Sequence, residues 1–261
     1  MKKLRLFIIL LLAGFHGYSQ QLFQLAPPLL KYQSVFFERS AVVEIMFSQP
    51  GAEVRYTLNG KEPTANDLLY TKPLRIKQQT MIKAKAFGKN FLSSEIMQAL
   101  FIKDGKKISR IDFSKPSEQY SSTKENILFD NTGGILNIHS GTWLGYNNDT
   151  VSITISLHKK EKVSSVLVDM LQDEASWIFL PEQMQVYYYN EKQNSFVLLT
   201  KELLSFEQQS TKTTVSKIIH FQQEIVTDKL QLVLFPLKDI PDWHTAKGNH
   251  AWLFIDELKV Y

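Results

Sequence analysis

The 261-residue chain has no cysteine. That excludes disulfides, thiolate metal centres and cysteine nucleophiles. It also excludes a bacterial lipoprotein anchor, which is built on a cysteine at the cleavage site. Reactive motifs are missing as well. There is no HExxH, GxSxG, P-loop or GxGxxG, and His139, His158, His220, His244 and His250 are scattered with no HxH pair. Excess charge is small. The formal net charge is +4, and three of the positive residues, Lys2, Lys3 and Arg5, fall in an N-terminal segment without acids, so the rest carries about +1. No clustered basic face is left for a nucleic acid, and none is expected as a partner. Beyond residue 20 no apolar run reaches the ~18 residues of a membrane helix, so no membrane span is expected.

What is present describes an exported globular protein. Hydrophobic residues make up 44% and charged residues 21% of the chain, ordinary values for a packed fold. After the positive start, Leu6 to Phe15 is apolar but too short to cross a bilayer, and Gly17 and Ser19 are small. Residues 1–19 therefore read as a signal peptide, cut before Gln20. The expected location is the periplasm or the cell exterior.

Residues 21–103 read as a small all-β domain. Val43, Ile45 and Phe47 alternate with Val42, Glu44 and Met46, and Ile82, Ala84 and Ala86 alternate with Lys83 and Lys85. A period of two marks a half-buried strand. Val54, Tyr56 and Leu58 lead into Asn59-Gly60, which reads as a tight hairpin turn because both residues tolerate positive φ. Residues 104–125 are polar and read as a linker, with Ile108, Ile111 and Phe113 as a short docking strand. Residues 126–261 form a larger β domain. Its strands are expected at Val151–Leu157, Ser165–Met170, Gln183–Tyr188, Phe196–Thr200, Ser216–Phe221, Leu230–Phe235 and Ala251–Tyr261. Pairing of a strand from the first half with the last one would close a jelly roll.

Two sets of residues carry a resemblance. Arg55 to Thr64 (RYTLNGKEPT) with Leu69 to Leu74 (LYTKPL) resembles the fibronectin III-like C-terminal β-sandwich of chitobiases and β-hexosaminidases. LFDNTGG (128–134), GTWLGYNNDTVSITISL (141–157), SWIFLP (176–181), DWH (242–244) and AWLFIDEL (251–258) resemble the discoidin, or coagulation factor type C, module that ends bacterial family 20 β-hexosaminidases. The order of the two modules is the same, and the catalytic barrel of those enzymes is missing. The resemblance implies an all-β protein: a small fibronectin III-like β-sandwich followed by a discoidin-like (galactose-binding-like) β jelly roll.

The resemblance also implies sites. In related modules a structural calcium ion joins the first Gly-rich loop to a Glu on the last strand. The matching residues are Asp130 and Glu257, with carbonyls near Phe129, Thr132 or Ser140 to complete the shell. Otherwise Asp130 caps a turn and Glu257 is solvated. A sugar would be stacked by loop aromatics and gripped by polar groups. Trp143, Tyr146, Asn148, Trp243 and His244 are the candidates, unless an aromatic serves as a core plug. Trp177 and Trp252 are expected in the core. Asp256-Glu257 looks like a catalytic acid pair, but neighbours on a regular strand face opposite sides, so no activity is expected from them. The resulting expectation is a non-catalytic binder of glycans, hexosamine-containing ones among them. The rival readings are a structural piece that docks a separate glycosidase or a cell-surface protein, and a fragment of an enzyme.

Overall fold

The structure, a computed structural model, describes residues 22–205, 208 and 211–261. The expected signal peptide lies outside the described residues. The chain is all-β, with two domains in sequence order.

The first domain is a sandwich of two main sheets, with a short parallel pair, Phe23–Gln24 and Phe91–Leu92, as a third. One layer orders Phe36–Phe37, Met97–Lys103, Thr80–Gly88, Ala52–Thr57 and Leu68–Leu69. The other orders Leu29–Lys31, Ala41–Met46 and Leu74–Ile76. The period-2 pattern decides which side chains meet. Ala41, Val43 and Ile76 from the smaller layer pack on Ile82 and Phe101, and Ile45 packs on Val54, Ala84 and Ala86. The expected tight hairpin at Asn59-Gly60 is not one. Only Gly60 takes a positive φ, +75°. The Ala52–Thr57 strand instead pairs with Leu68–Leu69 across a longer loop. That loop is held by local bonds: Lys61 N–H donates to Asn59 Oδ1 (3.1 Å), and Thr64 N–H donates to Asp67 Oδ2 (2.7 Å). Asn59 therefore acts through its side chain, as an Asx turn.

The second domain is built on two very long strands, Val151–Gln172 and Thr213–Phe235. Each merges two segments that the alternation pattern separates. Neither contains Gly or Pro to break it, and the interruptions are bulges, with register shifts between Ser156 and Glu161 and between Val163 and Ser165. The bulges bend the strands, so inward residues from both halves meet in one core: Val151, Ile153 and Ile155 with Val166, Val168 and Met170. Gln183–Asn190 and Ser195–Leu203 extend one side, and the last strand, Leu253–Val260, pairs with Val151–Gln172 on the other. Part of the expected linker belongs to this sheet, because Ile108–Phe113 pairs with Val151–Gln172 (Ile111 opposite Ile155).

The two domains share a seam. Phe36 and Ile102 of the first pack with Leu167 of the second, flanked by Val35, Ile218 and Tyr261. Lys106 N–H donates to Val260 O (2.7 Å) and Tyr261 Oη–H to Lys103 O (2.9 Å). A Cβ on Gly105 would stand 2.0 Å from Val260 O, so only glycine fits where the chain crosses.

Candidate functional site

The loops 173–178 and 236–250 of the second domain meet through His244 and Glu174, and the structure sorts the expected sugar-facing residues around them. Trp143 is 1% exposed and Tyr146 0%. Neither can stack on a ligand, which corrects the expectation for both. Trp143 packs with Leu171, Ile178 and Phe254, and its Nε1–H donates to Ile135 O (2.7 Å). Gly134 lies so close to its ring that a Cβ would come within 2.1 Å of Cζ2. The reason is local: residues 142–146 alternate poorly but enter the sheet at Leu144–Tyr146, which pairs with Leu253–Ile255. Burial also pushes the Tyr146 hydroxyl far above its ordinary range. Asn148 is exposed. Its neighbours are tied down: Asn147 Nδ2–H donates to Ala251 O (3.2 Å), and Asp149 Oδ1 lies 3.3 Å from His250 Nε2.

Two tryptophans do face solvent. Trp243 is 46% exposed and Trp177 42%, the latter contrary to the expectation of burial. Trp252, also expected in the core, is half-buried at its edge. Trp177 sits at φ +63°, ψ +24°, a left-handed conformation that costs a bulky residue roughly 1–2 kcal/mol. The surrounding contacts hold it there. Trp177 N–H donates to Glu174 O (2.9 Å), Trp252 N–H donates to Trp177 O (2.8 Å), and Asp173 takes Lys212 Nζ at 2.7 Å. His244 links this loop to the next. Its Nδ1 accepts Ala246 N–H (3.0 Å), so Nε2 carries the proton and donates to Glu174 O (3.0 Å). Both of its ring nitrogens are thereby engaged, which makes His244 a positioning residue rather than a free sugar ligand. Trp243 rests edge-on to His244, with centroids 5.6 Å apart, and 6.3 Å from Phe179. Phe179 in turn anchors the 236–250 loop through Leu237, Ile240, Ala246 and Ala251. Ile135 and Leu136 are exposed on the loop that Lys212 ties in through Leu136 O (3.4 Å).

The last strand and its neighbour carry a buried acidic group, Asp169, Asp256 and Glu257. Met170 pairs with Ile255 and Asp169 with Glu257, so Asp256 is the extra residue of a bulge. Ile255 and Leu258 both enter the core, and Asp256 and Glu257 therefore both project from the other side. The expectation that they face opposite ways is corrected by the bulge. Asp256 lies against the Asp169 carboxyl and the Gly134 backbone, and Asp169 accepts from Ser216 Oγ. Desolvation raises the pKa of Asp169. Desolvation and then the Asp169 charge raise that of Asp256 well above the carboxylate range. Desolvation pushes Glu257 up to about 7, against the opposing pull of Lys259.

These shifts predict an unusual pH profile. A folded-state pKa above the unfolded one gives stability that is present below the unfolded value and lost as pH rises through the folded value. For Glu257 the window runs from 4.5 to about 7, and such a difference is worth roughly 3 kcal/mol. Denaturant midpoints should therefore be higher at pH 5 than at pH 8. A flat or rising profile over that interval would contradict the burial of these acids.

Of the two expected calcium ligands, Asp130 lies near enough for its charge to help raise the Glu257 pKa. Glu257 Oε2 is buried without a partner. The donor set nonetheless does not fit a resident divalent ion. Glu257 Oε1 already takes Lys259 Nζ at 2.7 Å, Asp130 Oδ1 accepts Thr132 N–H (2.8 Å), and Asp130 Oδ2 faces Lys124 Nζ at 3.4 Å. The Lys259 ammonium already supplies positive charge at these oxygens and opposes a divalent ion beside it. Among the described residues no three His, Cys, Asp or Glu side chains form a metal-holding group.

Comparison with known proteins bears on the first domain. Residues 34–98 match the chitobiase/beta-hexosaminidase C-terminal domain. That match covers most of the sandwich and stops before the connection to the jelly roll. Solved structures similar to the chain include CBM32-3 from a family 31 glycoside hydrolase of Clostridium perfringens (16% identity, 59% of this chain and 90% of that one, TM-score 0.39). Another is chitosan-binding module 1 of a chitosanase/glucanase from Paenibacillus sp. IK-5 (13%, 58% and 92%, TM-score 0.36). A third is a Ruminococcus gnavus GH29 fucosidase in complex with fucose (14%, 58% of this chain, TM-score 0.34), of whose length the chain spans 24%. No curated protein sequence matches the chain.

Proposed function

We propose that the protein is an exported, non-catalytic glycan-binding protein that holds sugar rings on the Trp177–Trp243 face of its jelly roll. One observation carries this: a tryptophan held in a left-handed backbone conformation with its ring turned outward, on a loop tied through His244 to a second exposed tryptophan. Strain of that kind persists where surrounding structure enforces it, and it clusters at binding sites. Flat aromatics suit the C–H faces of sugars, and Asp242 and Lys247 on the same loop are exposed and able to meet hydroxyls. The non-catalytic part of the reading is supported by the burial of Asp169, Asp256 and Glu257, the acids that most resemble a catalytic group.

A glycan array probed with residues 21–261 tests this reading, with hexosamine-containing glycans chosen on the strength of the matched domain. Binding of micromolar to millimolar Kd is expected for one such module, and it should be lost in a Trp177→Ala/Trp243→Ala double variant. A second reading, docking to a separate glycosidase or surface protein, is favoured by exposed Leu29, Val42 and Met46 in the first domain, where Leu29 and Met46 pair across adjacent strands. Capture of a protein partner by a chain that binds no glycan would favour that reading.

A further inference from the structure

The seam between the domains contains a cation of its own. Lys259, on the last strand, is 2% exposed, although lysine is seldom buried without partners. Its Nζ lies 2.7 Å from Glu257 Oε1, 2.7 Å from Asn131 Oδ1 and 3.2 Å from Asp104 Oδ1. An ammonium has three protons to donate, and here three oxygens surround it. The Phe36 ring, with its centroid 5.5 Å away, covers it further. These partners come from separate parts of the chain: Asn131 from the Gly-rich loop, Glu257 from the last strand, Asp104 from the connection between domains and Phe36 from the first sandwich.

We infer that the Lys259 ammonium does the work of a loop-closing metal ion, so that the jelly roll closes without calcium and its closure is tied to the seating of the first domain. The chemistry is that of a hard cation among hard oxygens: Lys259 supplies one positive charge from within the chain, at the position where a divalent ion would bridge the loop to the strand. The inference is independent of glycan binding, because none of these groups lies on the Trp177–Trp243 face.

The test uses residues 21–261 and calcium chloride against a chelator. The wild-type protein should carry no stoichiometric calcium by elemental analysis, and its Tm should shift by less than about 1 °C between the two conditions. Lys259→Ala removes the ammonium and leaves the oxygens of Glu257, Asp104 and Asn131 without a cation. It should melt lower in chelator and regain about 5 °C or more in millimolar calcium. Lys259→Gln, which keeps a donor and most of the volume, should also melt lower in chelator and respond more weakly to calcium. A calcium ion retained by the wild-type protein, or a chelator-induced fall in its Tm, overturns the inference. So does a folded Lys259→Ala protein indifferent to calcium, because the lysine would then be an ordinary ion pair. If Lys259→Ala fails to fold, the wild-type measurements and Lys259→Gln decide between the same outcomes.

Discussion

Trp143→Ala should destabilise the protein by about 3–5 kcal/mol, the range for emptying a large aromatic from a packed core. The ring is enclosed by Leu171, Ile178 and Phe254, and Gly134 lies against its face. The substitution opens a cavity between the sheet and the Gly-rich loop. It also leaves Ile135 O without its indole donor, at a further cost of about 1 kcal/mol. In a domain of this size the Tm should fall by about 10 °C. Denaturant melts would show it as a lower midpoint, and a change below about 1 kcal/mol would contradict the burial of this residue. Glycan affinity of the protein that remains folded should be unchanged.

The opposite pattern is expected at the other end of the loops. Trp177→Ala and Trp243→Ala should each weaken glycan binding by about 2 kcal/mol, roughly thirtyfold in Kd. Tm should stay within about 2 °C, because both residues lie at the surface and neither belongs to a core cluster. Trp177→Gly is informative beside Trp177→Ala. Glycine relieves the left-handed strain at φ +63°, so it should raise stability slightly while still abolishing the stacking surface. Isothermal titration and thermal melts on the same preparations separate the two effects. Loss of binding together with a large fall in Tm would show that the loop is a structural element instead.

The fold was legible in the sequence wherever one face of a strand is buried and the other wet. Ala41–Met46 and Thr80–Gly88 alternate as written, and the two layers follow. Legibility failed where both faces are buried. Every residue of Leu253–Val260 is buried, one side by the core and the other by the Gly-rich loop and the first domain. Period-2 reasoning cannot reveal the bulge that turns Asp256 and Glu257 to the same side. Trp143 and Tyr146 looked like loop aromatics because glycines and asparagines surround them, yet both are buried, and Gly134 from the preceding loop is what lets the backbone close over the Trp143 ring. Trp177 carried no sequence signal for exposure. It follows Ser176 and precedes an apolar run, and its outward turn is decided by a backbone conformation that tryptophan seldom adopts. Lys259 could be read as one of many surface lysines, and only the arrival of Asp104, Asn131 and Glu257 from distant segments makes it a buried cation.

The glycan-binding claim is tested most directly by following the indole N–H resonances of the four tryptophans during titration with a glycan that the array identifies. The signals of Trp177 and Trp243 should move with a common Kd, while that of Trp143, bonded to Ile135 O inside the protein, stays in place. Binding that leaves Trp177 and Trp243 unmoved would contradict the account.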